Sequence, residues 1–227
     1  MTMHIKFPRI YHIPSSPKKG CDDKVANTDY FRYLNGQEIV MTAKLDGGNT
    51  CVTMEGLVFA RSHGQTTTDP SFDYLKSQVP KWVDTLTKRE LDMYGENLYH
   101  VHTIQYLTLP SWFFVIGFRH RPSGIWLPWD EVMLISHLLQ IPTVPVLYRG
   151  VFTDQSLFEQ KIIACSKQSQ YNEKHPEGVV VRKTSAFIDQ VFNSSVFKWV
   201  SNQFIIDGDH WQKKERIVAS LAKNKKN

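Results

Sequence analysis

Apolar positions along the 227-residue chain fall into short alternating runs more often than into long helical stripes. Strand-type runs stand at 39–44 (IVMTAK), 112–118 (WFFVIGF), 144–148 (VPVLY), 178–183 (GVVVRK) and 196–200 (VFKWV). Two more, TCVTM and LVFA, flank a Glu55-Gly56 turn and predict a hairpin over 50–60. All are rich in the β-branched and aromatic residues that suit a pleated surface. Helical spacing appears in fewer places. Phe72, Leu75 and Val79 fall at i, i+3 and i+7 before Pro80. Val132, Ile135, Leu138 and Leu139 follow Pro128, with Asp130 and Glu131 in the first turn, where the helix dipole favours acids. A third helix is expected within Thr153–Ser169. The hairpin and the mixture of elements predict antiparallel sheet with helices against it, an α+β fold. No linker or internal repeat divides the chain, so one domain is expected over 1–210, followed by a tail over 211–227.

Composition supports a packed core: 41% of residues are hydrophobic, and the 13 Phe, 9 Tyr and 6 Trp exclude disorder as the default. No apolar run approaches the roughly 18–20 residues that span a bilayer, and MTMHIKFPRIYH lacks the apolar centre of a signal peptide. Cys21, Cys51 and Cys165 are odd in number and far apart, which favours a reducing compartment. A cytoplasmic, monomeric protein with no membrane partner is expected. His100 and His102 would share a face on a strand, but no CxxC or HExxH accompanies them, so a histidine metal site is not expected.

Charge is uneven. Of the net +5, all sits in 211–227, where Lys213, Lys214, Arg216, Lys223, Lys225 and Lys226 face only Glu215; residues 1–210 hold 21 basic and 21 acidic side chains. A basic tail on a neutral body fits an anionic partner, or simply a solvated chain end.

The stretch KLDGG places Lys44 at the end of a strand, with Asp46, Gly47 and Gly48 in the turn that follows. Glycines there let backbone approach a phosphate closely. An ordinary lysine, with a pKa near 10.4, is neutral in only about one molecule in two thousand at pH 7. To act as a nucleophile it needs burial or a neighbouring cation. Taken alone, the stretch reads equally as a structural turn.

Other stretches stand with it in order: ARSHG (60–64), YGENLY (94–99), FFVIGF (113–118), EGVVVRK (177–183) and KWV (198–200). Longer flanks add FPRIYHIPSSP (7–17), DDKV (22–25), TVPVLYRG (143–150) and DGDHW (207–211). This set resembles the covalent nucleotidyltransferases, specifically the ATP-dependent RNA ligases, and within them a bacterial and phage branch. The resemblance implies an adenylation domain without an OB-fold. Lys44 would attack the α-phosphate of ATP and hold AMP as a phosphoramidate. AMP would pass to an RNA 5′-phosphate, and a 3′-hydroxyl would then displace it, as in RNA repair.

The resemblance also implies roles. Asp46 and Gly47 would belong to the nucleotide-binding turn, Arg61 would hold ribose or the accepting 5′-phosphate, and Glu96 would contact ribose. Glu177 would position Mg2+ or Mn2+. Lys198 would face the α-phosphate and help depress the pKa of Lys44 through like-charge proximity.

Three positions depart from the family pattern. The last motif has one lysine, between Val196 and Val200, where two are usual, and Lys183 is the candidate substitute. The base-stacking aromatic falls at Ile116, with Phe114 and Phe118 on the same face if the strand alternates. Ala43 precedes the nucleophile where this branch tends to have glutamate. DNA ligases and RNA-capping guanylyltransferases share the lysine chemistry but normally add an OB-fold, and the 27 residues after Val200 are too few for one. A nucleotide- or RNA-binding protein that no longer ligates is the other alternative.

Overall fold

The computed structural model describes residues 5–17, 19–20, 22–61, 64–202 and 217–222. DGDHW and most of the basic tail lie outside these residues. Strand β1 (Tyr11–His12) precedes β2 (Glu38–Lys44), β3 (Gly48–Val52) and β4 (Val58–Ala60). Helices α1 (Asp73–Gln78) and α2 (Val83–Lys88) lead into β5 (Leu91–Asn97), β6 (Phe113–His120) and β7 (Ile125–Trp126). Then come α3 (Trp129–Leu138), β8 (Val146–Val151), α4 (Gln155–Cys165), β9 (Gly178–Lys183), β10 (Phe187–Ile188) and β11 (Val196–Val200).

Two sheets form, ordered β1-β11-β9-β2-β8 and β10-β7-β6-β5-β3-β4. Every pairing is antiparallel except β1 with β11, which is parallel. The α+β expectation holds. β2 is an interior strand of the first sheet, and the near-continuous burial of its apolar run follows from cover on both faces. Alternation then sorts its side chains. Ile39 and Met41 join Val179, Val181, Phe197, Phe158 and Ile162 in a core under α4. Val40 joins the larger core between the sheets, with Phe113, Phe114, Val115 and Phe118, and Ala43 joins it as well, out of alternation. In the core under α4, Phe158 is fully buried, and its truncation to Ala would cost about 3–5 kcal/mol. Asp154 caps α4 by accepting from Leu157 N at 2.9 Å.

Sequence periodicity foresaw α3 and α4. The helix expected from Phe72 to Val79 is broken: 3-10 turns at Pro70–Phe72 and Val79–Lys81 flank a six-residue α1. Pro80 has no N–H to continue an α-helical ladder.

Part of the stretch beyond 210 meets the body. Residues 217–222 pack on the body: Val101 N donates to Ile217 O, Ala219 N to Tyr99 O, and Trp112 Nε1 to Ala219 O at 2.8 Å. Ala219 is buried. Toward the other end of the chain, residues 5–17 and 22–25 form a strap along β11. Tyr94 Oη donates to Ile5 O, Phe7 sits edge-on to Trp126 and Phe192, and His12 N donates to Lys24 O while Ala26 N donates to His12 O. Among the described residues no helix is long and apolar enough to cross a membrane.

Candidate active site

Between the inner faces of the two sheets lies a cavity of about 860 Å³. Its wall on the first sheet comes from alternate residues, so Thr42 and Lys44 of β2, Val180 and Arg182 of β9, and Val196 and Lys198 of β11 share it. Gly47, Arg61, Glu96 and Ile116 line the second side, and the strap contributes Lys6, Arg9, Asp23 and Lys24.

Lys44 closes β2 opposite Gly178, and its Nζ contacts Glu177 Oε1. Two glycines make this meeting possible. A Cβ on Gly178 would stand 2.0 Å from the Trp199 carbonyl oxygen, and one on Gly47 would stand 2.5 Å from the Asn97 carbonyl oxygen. The second contact reassigns Gly47: its bareness lets the turn pass the end of β5, beyond any help it gives a phosphate. Asp46 turns away from the cavity wall. Its Oδ2 accepts from Thr103 N at 2.7 Å and Ile104 N at 2.8 Å, and its own N donates to Tyr106 Oη.

Lys44 is ringed by acids. Burial works to lower its pKa, but the charges of Glu177, Glu96 and Asp46 outweigh it and hold the ammonium above the ordinary lysine value. Burial pushes Glu96 up to about 8, with Glu177 and Asp46 adding and Lys44 opposing. Burial likewise pushes Glu177 up to about 7, against the pull of Lys44. The expectation that Lys198 depresses Lys44 is therefore corrected: in this state the acids dominate.

Lys198 is engaged elsewhere. Its Nζ donates to Asp23 Oδ1 at 2.8 Å, and the other oxygen of Asp23 lies 3.1 Å from His12 Nε2. His12 is buried, with Nδ1 3.0 Å from Ser16 Oγ. Burial and the Lys198 charge lower its pKa to about 4, so the ring is neutral at pH 7. Burial opposes ionisation of Asp23, but the Lys198 hydrogen bond prevails and holds it at about 2.

Two further expectations fail. Tyr94 pairs with Gly117 and Gly95 with Val115, so Ile116 is the unpaired residue of a β-bulge. Alternation is lost there: Ile116 reaches the cavity while Phe114 and Phe118 are fully buried in the core. Lys183 pairs with Ile39, five residues along β9 from the Gly178 pairing of Lys44, and is not on the cavity wall. Its neighbour Arg182 is. Nothing in its local pattern sets that arginine apart from any charged residue near a strand end, and the strap stretches do not disclose in sequence what they hold.

A divalent ion fits the donor set. Glu177 Oε2 is buried without a hydrogen-bond partner among the described residues. No group of three or more His, Cys, Asp or Glu among them could hold a metal. Such an ion would take one or two carboxylates and fill its shell from phosphate and water, as Mg2+ commonly does.

Two antiparallel sheets closing on a lysine–glutamate cavity define a nucleotidyltransferase-type domain. The RNA ligase family profile matches residues 37–200, and the chain belongs to that family. Solved structures agree on the fold. An RNA ligase of Naegleria gruberi, a lysine-to-alanine variant with ATP and Mn, superposes with a TM-score of 0.58 at 18% identity, over 77% of this chain and 52% of that one. Another variant of that ligase with ATP and Mn gives 0.57 at 16%, over 90% and 62%. An archaeal ATP-dependent RNA ligase gives 0.56 at 14%, over 88% and 49%. The chain thus spans about half to three-fifths of the length of these structures. No curated protein matches it.

Proposed function

We propose that this chain is an ATP-dependent RNA ligase that works through a covalent AMP adduct on Lys44. The observation that carries the proposal is the Lys44–Glu177 contact at the wall of a cavity that also presents Lys198 and Arg61. In the first step Lys44 Nζ forms a P–N bond to the α-phosphorus, and the bond to the β-phosphate oxygen breaks, releasing pyrophosphate. The ammonium must first lose a proton, and Glu177 is in contact to take it, its own affinity for protons raised by burial. Lys198, held in place by Asp23, neutralises charge on the α-phosphate through its remaining N–H donors. Once Glu177 has passed that proton to solvent, its carboxylate would hold Mg2+ or Mn2+, which would supply Lewis-acid stabilisation of phosphate charge when bound.

AMP then moves to an RNA 5′-phosphate, with Arg61 as its planar clamp. A 3′-hydroxyl attacks that phosphorus and expels AMP, closing the phosphodiester. We assign Glu96 to ribose. The cytoplasm is the proposed setting, on the free, buried thiols of Cys51 and Cys165. The test is the intact mass after incubation with ATP and a divalent cation. One AMP should add, acid-labile and stable to mild alkali, and Lys44→Ala should lose it. Labelling of Lys44→Ala would put the nucleophile elsewhere. Adenylylation without joining of 5′-phosphate and 3′-hydroxyl RNA ends would reduce the protein to a nucleotide-binding relative.

A further inference from the structure

Two buried polar side chains of the strap have no part in the chemistry above: His12 and Ser16, at 1% and 2% exposure. They lie on a polar path that leaves β11 and returns to it. Val200 N donates to Ser16 Oγ at 2.9 Å. The Ser16 hydroxyl proton then goes to an acceptor, and His12 Nδ1 at 3.0 Å is nearer than the Val200 carbonyl at 3.4 Å. A neutral ring that accepts at Nδ1 carries its proton on Nε2. Nε2 stands 3.1 Å from Asp23 Oδ2, off the ideal line, and meets no other acceptor among the described residues. Gly20 N donates to that same oxygen at 2.8 Å, and Asp23 Oδ1 takes Lys198 Nζ at 2.8 Å. The path therefore ends on the cavity wall, two residues before the backbone group where it began.

Docking of the strap does not need this path. Backbone already holds it to β11: Ile13 N donates to Lys198 O at 2.8 Å, with Tyr11 and His12 in register with Phe197 and Lys198. A buried imidazole costs more to desolvate than an apolar side chain of its size. The ring is neutral at pH 7, so it adds no ion pair in return. Nor is Ser16–His12–Asp23 a hydrolytic set, because the hydroxyl is buried and neither it nor the ring lines the cavity. What remains for the ring is orientation. Donors from Gly20 and His12 on one oxygen of Asp23 leave the other for the lysine. That matters here because Lys198 is a long, flexible side chain and the last motif has no second lysine to cover for it.

The inference deepens the adenylate-transfer reading above and rests on it for its rate measurement. We propose that His12, its tautomer set by Ser16, is a positioning residue that acts through Asp23 to aim Lys198 at the α-phosphate.

Single-turnover AMP transfer to Lys44 of the full chain is followed by intact mass over a range of ATP concentrations. Two isosteres separate the roles of the ring. His12→Gln can put an amide N–H where Nε2 stands, whereas His12→Asn keeps an acceptor for Ser16 and has no donor that reaches Asp23. His12→Asn should slow the saturated rate by about three- to tenfold, the size of couplings within one hydrogen-bonded network. The ATP concentration at half-rate should barely move, since Lys198 acts on charge that develops in the transition state. His12→Gln should stay within about twofold of the unmodified chain. With Lys198→Ala already in place, His12→Asn should cost nothing further. An equal loss in that background, or a loss in His12→Gln as large as in His12→Asn, overturns the proposal. If His12→Asn does not fold, Ser16→Ala cuts the path one link earlier and takes its place in the cycle.

Trace acetylation without nucleotide, read by peptide mass, needs no turnover. Relative to the exposed Lys88, Lys198 should acetylate about threefold faster or more in His12→Asn and no faster in His12→Gln. If the unmodified chain takes no AMP, the transfer reading falls by itself and acetylation decides: a faster Lys198 upholds the positioning, and an unmoved one overturns it.

Discussion

Lys198 and Asp23 stand 175 positions apart in the chain and 2.8 Å apart in space. The pair gives the single lysine of the last motif a fixed address, supplied by a segment outside the stretch that matches the family. Asp23→Asn should therefore slow adenylate formation about tenfold, roughly 1.4 kcal/mol of barrier. The pair is partly solvated, at 19% and 32% exposure, so the stability loss should stay within about 1 kcal/mol. Single-turnover labelling beside a melting curve checks this; an unchanged labelling rate would mean that Lys198 is positioned without the strap.

Glu177 and Lys198 both act at the α-phosphate in the proposed step. Glu177→Ala and Lys198→Ala should each slow labelling by about two orders of magnitude, the scale for removing one electrostatic stabiliser. Near-native rates in both would end that assignment.

Lys44 starts from a pKa held above the ordinary value by its acids, and its neutral form is the one that reacts. Labelling should therefore rise with pH from 6 to 9. Glu96→Gln removes one of those acids and should move the profile to lower pH; an unmoved profile would show that Glu96 does not act on Lys44. Stability runs the other way. Glu96 and Glu177 bind protons more tightly folded, since burial raises both from 4.5, to about 8 and about 7. Their contribution is full below about 4.5 and is lost as pH climbs through 7 and 8. The melting temperature of the unmodified chain should fall over that window more than that of Glu96→Gln.

Legibility tracked the range of the interaction. Lys44 at a strand end, the α+β class, α3 and α4 follow from local pattern, because strand period, glycine turns and acids in a first helical turn are neighbours in sequence. The Ile116 bulge does not, because it exists only in the register of β6 against β5. One extra residue sent Phe114 and Phe118 into the core and left Ile116 on the wall. Lys183 and Arg182 adjoin in sequence, and only the alternation of β9 against its partners decides which one faces the cavity. The Asp23–Lys198 pair was invisible for the same reason on a larger scale.

The basic tail calls for two variants. Single-strand phosphate contacts reduce the logarithm of affinity with log salt by about 0.7 per charge neutralised. Changing Lys213, Lys214, Arg216, Lys223, Lys225 and Lys226 to Gln should flatten the RNA salt slope by roughly one to two units and leave self-labelling intact. Ending the chain at 211 should do more than that. It removes Ala219 and the acceptor of the Trp112 indole, so the melting temperature should drop as well. An unchanged salt slope in the Gln variant would place RNA on the body.

The strap has a consequence for the order in which the molecule can be made. β1 is the second sheet-forming partner of β11, laid parallel against it, and Asp23 and Lys198 meet across the same boundary. The strap leaves a ribosome long before β11 does, and must therefore wait for that strand before it has a sheet to pair with. Until then the cavity has neither its roof nor its second lysine in place, and the early segment is a free peptide that carries its own cations. That segment is also separable in principle. A chain begun at residue 26 would present β11 as an open edge, and a synthetic peptide of residues 5–25 is the strand that fits it.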